Sequence, residues 1–199
     1  MIVVDIETSG LDFLKNGIWQ IGAIDTDDAE RIFLEECRID DDEISEDEAR
    51  NVCGVTEEYI RSVYKQSQKE LLEKFFIWCK DTKVKNFICQ NPQFDFSFIK
   101  CKAEKYGLRM PVHFRCFDTH TLASLKYKEI YGALPIDGGF SNMNLSNILY
   151  FCGMKDERDK HNALEDAKLT AECFYRIVYC KTFLKEFEQY SIPKYLEEK

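Results

Sequence analysis

The sequence predicts a single α/β domain, and three observations carry that reading. A first apolar strand is followed by two more β-patterned segments across short turns. Helical periodicity then alternates with short apolar runs. Acidic residues recur where those runs give way to turns and helices.

The first strand is read in Val3-Val4-Asp5-Ile6-Glu7-Thr8 and ends in the small-residue turn Ser9-Gly10-Leu11. Strand side chains alternate between faces, so Asp5 and Glu7 share one face while Val4 and Ile6 take the other. Two carboxylates side by side at the end of a buried strand repel each other and lose solvation. A fold keeps such a pair mainly when cations neutralise it; the plainer alternative is a short acidic turn after an edge strand.

Residues 10–17 read as a turn and Gly17 to Ile24 as a second strand. Arg31 to Ile39 is a third, paired to the second across a turn from Asp25 to Ala29. The acidic stretch 40–58 is expected to be a solvated loop with a helical turn around Glu46 to Asn51. Leu71, Leu72, Phe75, Phe76 and Cys79 recur at i, i+3, i+4 spacing, which predicts an amphipathic helix from Gln68 to Asp81. Lys85 to Gln90 is a short strand stopped by Asn91-Pro92. Phe94 to Tyr106 is helical, with Gly107 as its stop. Arg115 to Asp118 is one more strand, running into a helix near Thr119 to Leu125. Residues 132–142 are loop-like, Leu145 to Cys152 is a helix ended by Gly153, and the last long helix is expected from Asn162 to Glu188. On this reading the domain spans 1–199, with a core over about 1–180 and residues 181–199 as the end of the last helix and a short tail.

Composition bounds the class. A chain of 199 residues, 45% hydrophobic and 14% aromatic, can bury a sizeable core without disulfides or a structural metal. No apolar stretch approaches the roughly 20 residues of a membrane span, and Met1-Ile2-Val3-Val4 meets Asp5 with no basic leader, so a cytoplasmic protein is expected. The nine cysteines are odd in number and contain no Cys-x-x-Cys pair; they read as small buried hydrophobes in a reducing compartment. A net charge of −9 argues against nucleic-acid binding by long-range attraction alone, although bound cations and a local basic patch can still hold phosphates.

Two later sites complement the opening pair. In Asn91-Pro92-Gln93-Phe94-Asp95-Phe96-Ser97-Phe98-Ile99, Asp95 falls just after a strand and in the first turn of a helix, where a carboxylate also suits the helix dipole. In Lys160-His161-Asn162-Ala163-Leu164-Glu165-Asp166, the Asn162/Glu165 pair has the form of a capping box. His161 then lies on the incoming loop and Asp166 one turn inside the helix, so both can serve one place.

In their order along the chain, Asp-x-Glu, Phe-Asp-x-x-Phe-Ile and His-x-x-x-x-Asp closely resemble the three motifs of the DEDD exonucleases. The His at 161 makes the match to the DEDDh branch, which includes bacterial proofreading epsilon subunits and ribonuclease T. The resemblance covers most of the chain, with weaker echoes in Gln20 to Ala23, Gly54 to Glu57, Asp118-Thr119 and Leu145 to Leu149. It implies a ribonuclease H-like fold: a five-stranded mixed sheet, its first three strands antiparallel, flanked by helices.

The resemblance further implies that Asp5, Glu7, Asp95 and Asp166 hold two divalent ions and that His161 activates water as a general base. Asp5 would bridge both ions, Glu7 and Asp166 would complete one, and Asp95 would hold the other. An oxygen-rich carboxylate set suits Mg²⁺ or Mn²⁺ rather than zinc. The implied reaction is removal of nucleoside 5′-monophosphates from a free 3′ end of single-stranded DNA or RNA. Ile6, Thr8, Leu11 and Phe94 are the implied substrate contacts, Leu11 as a base wedge. Lys100, Lys102, Lys105 and Arg109 are read either as a phosphate track or, more simply, as a solvated helix face. A DNA polymerase or another replication or repair protein is the kind of protein partner the resemblance allows. Two other readings are a non-catalytic nucleic-acid-binding adaptor of the same fold, which would be marked by a lost carboxylate or histidine, and a phosphoesterase acting on short oligonucleotides.

Overall fold

The computed structural model describes residues 1–197. Its centre is a five-stranded sheet in the order β3-β2-β1-β4-β5, from β1 (Ile2–Thr8), β2 (Ile18–Asp25), β3 (Asp28–Glu36), β4 (Phe87–Cys89) and β5 (Phe117–Asp118). The first three strands are antiparallel, and β4 and β5 run parallel to β1. This is the expected mixed sheet.

The alternation read in the first strand is what layers the molecule. Ile2, Val4 and Ile6 join a core with Leu71 and Phe75 of α3 (Gln68–Lys80) and Phe98 and Ile99 of α4 (Pro92–Lys105). On the opposite face Val3, Ile24 and Ile88 pack against Ala171 and Phe174 of α7 (Ala163–Tyr179). Asp5 and Glu7 follow Val3 on that second face. The chain also forms α1 (Asp47–Cys53), α2 (Glu57–Ile60), α5 (Thr119–Tyr131) and α6 (Leu145–Phe151), and the last described element is α8 (Lys194–Glu197). Ser67 and Glu70 close a reciprocal capping box at the start of α3.

Several expectations change. The hairpin loop is Thr26-Asp27, so β3 begins three residues earlier than read. Residues 132–142 contain a short hairpin, Ile136–Asp137 with Phe140–Ser141. The last long helix stops at Tyr179: Cys180 takes a left-handed conformation with φ of 53°, and a 3-10 turn follows at Lys185–Phe187. The segment after it folds back, placing Leu184 and Leu196 in the core. The final two positions of the expected tail, 198–199, lie outside the described residues.

The acidic stretch is only partly solvated. Glu43 is buried, its Oε1 2.7 Å from Nζ of Lys102, which is itself buried on α4. The backbone N–H of Asp40 and the side chain of Gln68 donate to its other oxygen. Lys105 pairs with Asp40 at 2.7 Å. A charge run is normally a wet surface; here its counter-ions come from a helix some sixty positions on, which no local pattern reports. The same pairs remove Lys102 and Lys105 from any phosphate track. Lys100 faces Glu104, and Arg109 lies beyond the end of α4.

Candidate active site

The expected site residues reach one cleft of about 710 Å³ from β1, from α4, from α7 and from the loops after β1 and before α7. Asp5, Glu7, Asp95, His161 and Asp166 line it, and so do Ile6, Thr8, Leu11 and Phe94. Phe98, by contrast, is fully buried in the core.

Local chemistry explains the convergence. Across the β1–β2 ladder Asp5 stands opposite Gly22, and Glu7 opposite Gln20. A Cβ on Gly22 would lie 2.1 Å from the backbone nitrogen of Leu164 and 2.2 Å from the carbonyl carbon of Ala163. Only glycine lets the first turn of α7 press onto β2 beside Asp5. Gln20 completes the seat, its Oε1 accepting from the Ala163 N–H at 2.8 Å. Asn162 caps the helix, its side-chain oxygen accepting from the N–H groups of Leu164 and Glu165. Asp166, one turn in, is thereby held against β1. Asp95 arrives from the other side: Asn91, at φ of 67°, turns the chain out of β4, and Pro92 starts α4.

His161 sits on the loop before the cap, its Nδ1 3.2 Å from Oδ2 of Asp166 and its side chain 45% exposed. The backbone N–H of His161 donates to the carbonyl of Val52 at 3.4 Å, which ties this loop to α1. Oδ1 of Asp166 is taken by Nη1 of Arg158 at 3.0 Å. Oε2 of Glu7 accepts from the Cys53 thiol at 3.0 Å. Oε1 of Glu7 is buried with no hydrogen-bond partner among the described residues.

The electrostatics follow. Burial pushes the Asp5 carboxyl well above its ordinary range, and the neighbouring Asp95, Asp166 and Glu7 push it further. Burial also lifts Glu7 to about 7, opposed by the Cys53 thiol. Asp95 is lifted by burial to about 8, although N–H groups of Asp95 itself and of Ile6 favour its charge. His161 is raised by its hydrogen bond to Asp166. These are the signs of a carboxylate cluster short of positive charge.

The residues fit divalent ions. Ligand atoms of Glu7, His161 and Asp166 lie within 4.8 Å of one another, and the unpartnered Glu7 oxygen is beside them. Burial and the adjacent Glu7 hold Cys53 as a thiol, so it is a donor to Glu7 and not a thiolate ligand. What remains is an oxygen-dominated donor set suited to Mg²⁺ or Mn²⁺.

Arg158 and Cys53 were not legible as site residues in the sequence. Arg158 lies in the charged run Lys155 to Lys160, which reads as solvated loop, and Cys53 is one of nine cysteines. The only available signal for Arg158 was its place three residues before His161.

Comparison with known proteins gives the family and the fold. The family model for Exonuclease, RNase_T, matches residues 2–174. A DNA polymerase III PolC-type protein of Caldanaerobacter subterraneus subsp. tengcongensis is 28% identical over 177 residues, which cover 89% of this chain and 11% of that protein. The chain thus spans only a small part of the PolC-type relatives it matches. Ribonuclease T of Vibrio parahaemolyticus is 28% identical over 193 residues, covering 89% of this chain and 84% of the relative. Among solved structures, the nuclease domain of 3′hExo, a DEDDh family member bound to rAMP, superposes with a TM-score of 0.68 at 18% identity, covering 92% of this chain and 94% of that one. Exonuclease I of E. coli in complex with a dT13 oligonucleotide gives 0.67 at 16% identity, over 88% of this chain and 40% of the other. These two likenesses bear on the fold.

Proposed function

The chain belongs to the Exonuclease family across residues 2–174, and from that premise we propose that it is a divalent-metal-dependent 3′–5′ exonuclease acting on single-stranded nucleic acid. It releases nucleoside 5′-monophosphates from a free 3′ end. The observation that carries the proposal is the meeting of four carboxylates and one histidine in a single cleft, with a buried Glu7 oxygen left unpartnered among the described residues.

Asp5, Glu7, Asp95 and Asp166 would hold two ions of Mg²⁺ or Mn²⁺. When bound, such ions stabilise the charge on the attacking and leaving oxygens of an in-line displacement at phosphorus. The protein's own groups do the rest. Asp166 accepts from Nδ1 of His161, which assigns the proton to that nitrogen and leaves the Nε2 lone pair as the base for a water proton. By raising the histidine's basicity, Asp166 also strengthens that base. Leu11, 77% exposed at the cleft, and Phe94 offer apolar surface to the terminal base. Such contact tolerates any base, because every base has a face to stack. Single-stranded nucleic acid in solved relatives, such as the dT13 complex of exonuclease I, supports this choice of substrate. The PolC-type relatives support a setting in DNA replication or repair, with a polymerase as a partner.

The test is incubation of matched 5′-labelled DNA and RNA oligomers with Mg²⁺, Mn²⁺ or EDTA. A ladder shortened from the 3′ end, abolished by EDTA and blocked by a 3′-phosphate, is expected. Intact oligomers after incubation with folded, Mn²⁺-loaded protein would overturn the reading, and internal cuts in 3′-blocked oligomers would replace it with an endonuclease.

A further inference from the structure

Arg158 is the one Lys or Arg among the described residues lining the cleft, and the reaction as derived gives it no task. Its side chain is 7% exposed. Nη1 donates to Oδ1 of Asp166 at 3.0 Å. Nε and Nη2 donate to Asp156 at 2.8 and 2.6 Å, and Nη2 also reaches Oγ of Ser146 at 3.2 Å. Ser146 in turn donates to Oδ2 of Asp156 at 2.5 Å. These bonds join the start of α6, the loop that bears His161, and the first turn of α7.

We propose that Arg158 is a positioning residue for the divalent-ion site: by gripping Oδ1 of Asp166 and anchoring on Asp156 and Ser146, it fixes the Asp166 carboxylate and the His161 loop in the geometry an ion needs. The inference rests on the proposed function, since it assigns Asp166 to an ion.

An arginine beside a ligand carboxylate acts in two opposing ways. Its charge repels an incoming cation, while its rigid fork orients the carboxylate and keeps it ionised. Here the repulsion is small, because Asp156 takes two N–H groups of the guanidinium and balances its charge. Orientation remains. Oδ1 is engaged from behind and Oδ2 stays with His161, so the carboxylate cannot rotate about its own axis without breaking one of the two bonds. Outer partners of this kind hold first-contact ligands in place at metal sites generally, and their loss costs about 10- to 100-fold in metal affinity or activity.

The sign of the effect separates the two roles. Mn²⁺ binding to metal-free protein, followed by the electron paramagnetic resonance of free Mn²⁺ with no nucleic acid present, is measured for wild type, Arg158→Ala, Arg158→Lys and Asp156→Ala. Melting in EDTA reports folding. Arg158→Ala is expected to weaken Mn²⁺ about 10- to 100-fold, with Arg158→Lys recovering only part, since one ammonium cannot span Asp166 and Asp156 as a planar fork does. Asp156→Ala, which touches no ion-holding carboxylate, is expected to weaken Mn²⁺ as well, by removing the anchor and unbalancing the charge. In steady state the half-saturating Mg²⁺ concentration rises, while KM for the oligomer stays within about twofold. Unchanged or tighter Mn²⁺ binding in folded Arg158→Ala overturns the role; should that variant not fold, unchanged binding in Arg158→Lys and Asp156→Ala overturns it. A wild type that binds no Mn²⁺ overturns the proposed function, and this role with it.

Discussion

Helix α7 carries a buried ionic cluster near each end. In its C-terminal half Glu172 and Arg176 are both 0% exposed and every arm is engaged. Nε of Arg176 donates to Glu172 at 2.7 Å, and its other nitrogens donate to the carbonyls of Cys152, Phe187 and Tyr190. The second oxygen of Glu172 accepts from the N–H groups of Phe183 and Leu184. At the N-terminal end Asp166 joins Asp5, Glu7 and Asp95, where anions outnumber cations and a buried Glu7 oxygen has no partner among the described residues. The first cluster is complete within the chain, and it fastens the segment after Cys180 onto the helix. The second is left short of positive charge among the described residues. Burial is common to both; what distinguishes the candidate site is its incompleteness.

The contrast is broken most severely at the complete end. Arg176→Met removes a charge that Glu172, three backbone carbonyls and the folded-back tail all depend on. A loss of about 3–5 kcal/mol in unfolding free energy is expected, the range for stripping one partner from a buried pair. Urea unfolding of the two proteins in EDTA checks it. A loss below about 1 kcal/mol would mean that the tail repacks around the change and that the pair is not structural. Nuclease activity of whatever fraction remains folded is expected to be unaltered per molecule, because none of these groups lines the cleft.

At the incomplete end the same kind of change has the opposite sign for stability. Asp5→Asn removes one of the crowded anions, so unfolding free energy in EDTA is expected to rise by about 0.5–2 kcal/mol, as at other sites where function opposes stability. Activity falls by more than about 100-fold, the upper range for disturbing a metal site from outside its ligands. The pH dependence sharpens this. Glu7 at about 7, Asp95 at about 8 and Asp5 are all raised above their unfolded values, and His161 is raised too. A raised group binds its proton more tightly folded than unfolded, so its contribution is full below the unfolded pKa and is lost as pH climbs through the folded one. The metal-free protein is therefore expected to lose stability between about pH 5 and 8. Mn²⁺ should remove that decline, and Asp5→Asn should flatten it. Thermal melts across this window with and without Mn²⁺ test the point; stability that rises with pH in EDTA would contradict it.

The same contrast explains what was legible in the sequence. Asp5 and Glu7 were readable because strand alternation is local, and Asp95 and Asp166 because each stands a fixed step from a helix start. Repeated apolar spacing gave α3 almost to the residue. Completed ionic clusters were invisible. Glu43 looked solvated because its counter-ion Lys102 lies on another element. Arg176 sat within a helix expected to continue to Glu188, and nothing local announced that the chain would leave at Cys180 and return to cover it. Partners distant in sequence leave no periodic trace, whereas the carboxylates of the candidate site each stand at a strand or helix position that local pattern reports.

The smallest expected effect lies between the two extremes, at Cys53. Among the described residues its thiol gives Glu7 the one hydrogen bond that carboxylate receives, at 3.0 Å, and Oε1 has no partner. Because burial keeps the group a thiol, the donor is present at every working pH. Cys53→Ala leaves both oxygens of Glu7 without a partner, whereas Cys53→Ser keeps a donor at nearly the same place. In EDTA the alanine variant is expected to be less stable by about 1 kcal/mol, the net worth of one such bond. The thiol also lowers the Glu7 pKa, so in Cys53→Ala that pKa should move above about 7, toward a protonated carboxylic acid. An NMR titration of the Glu7 side-chain carbon reads this directly. If its pKa and the unfolding free energy are the same in Cys53→Ala as in wild type, then the thiol is a bystander and Glu7 is even less complete than the structure shows. If the pKa rises and the serine variant restores it, Cys53 is a working partner of Glu7, and among the described residues the other oxygen stays open to a cation.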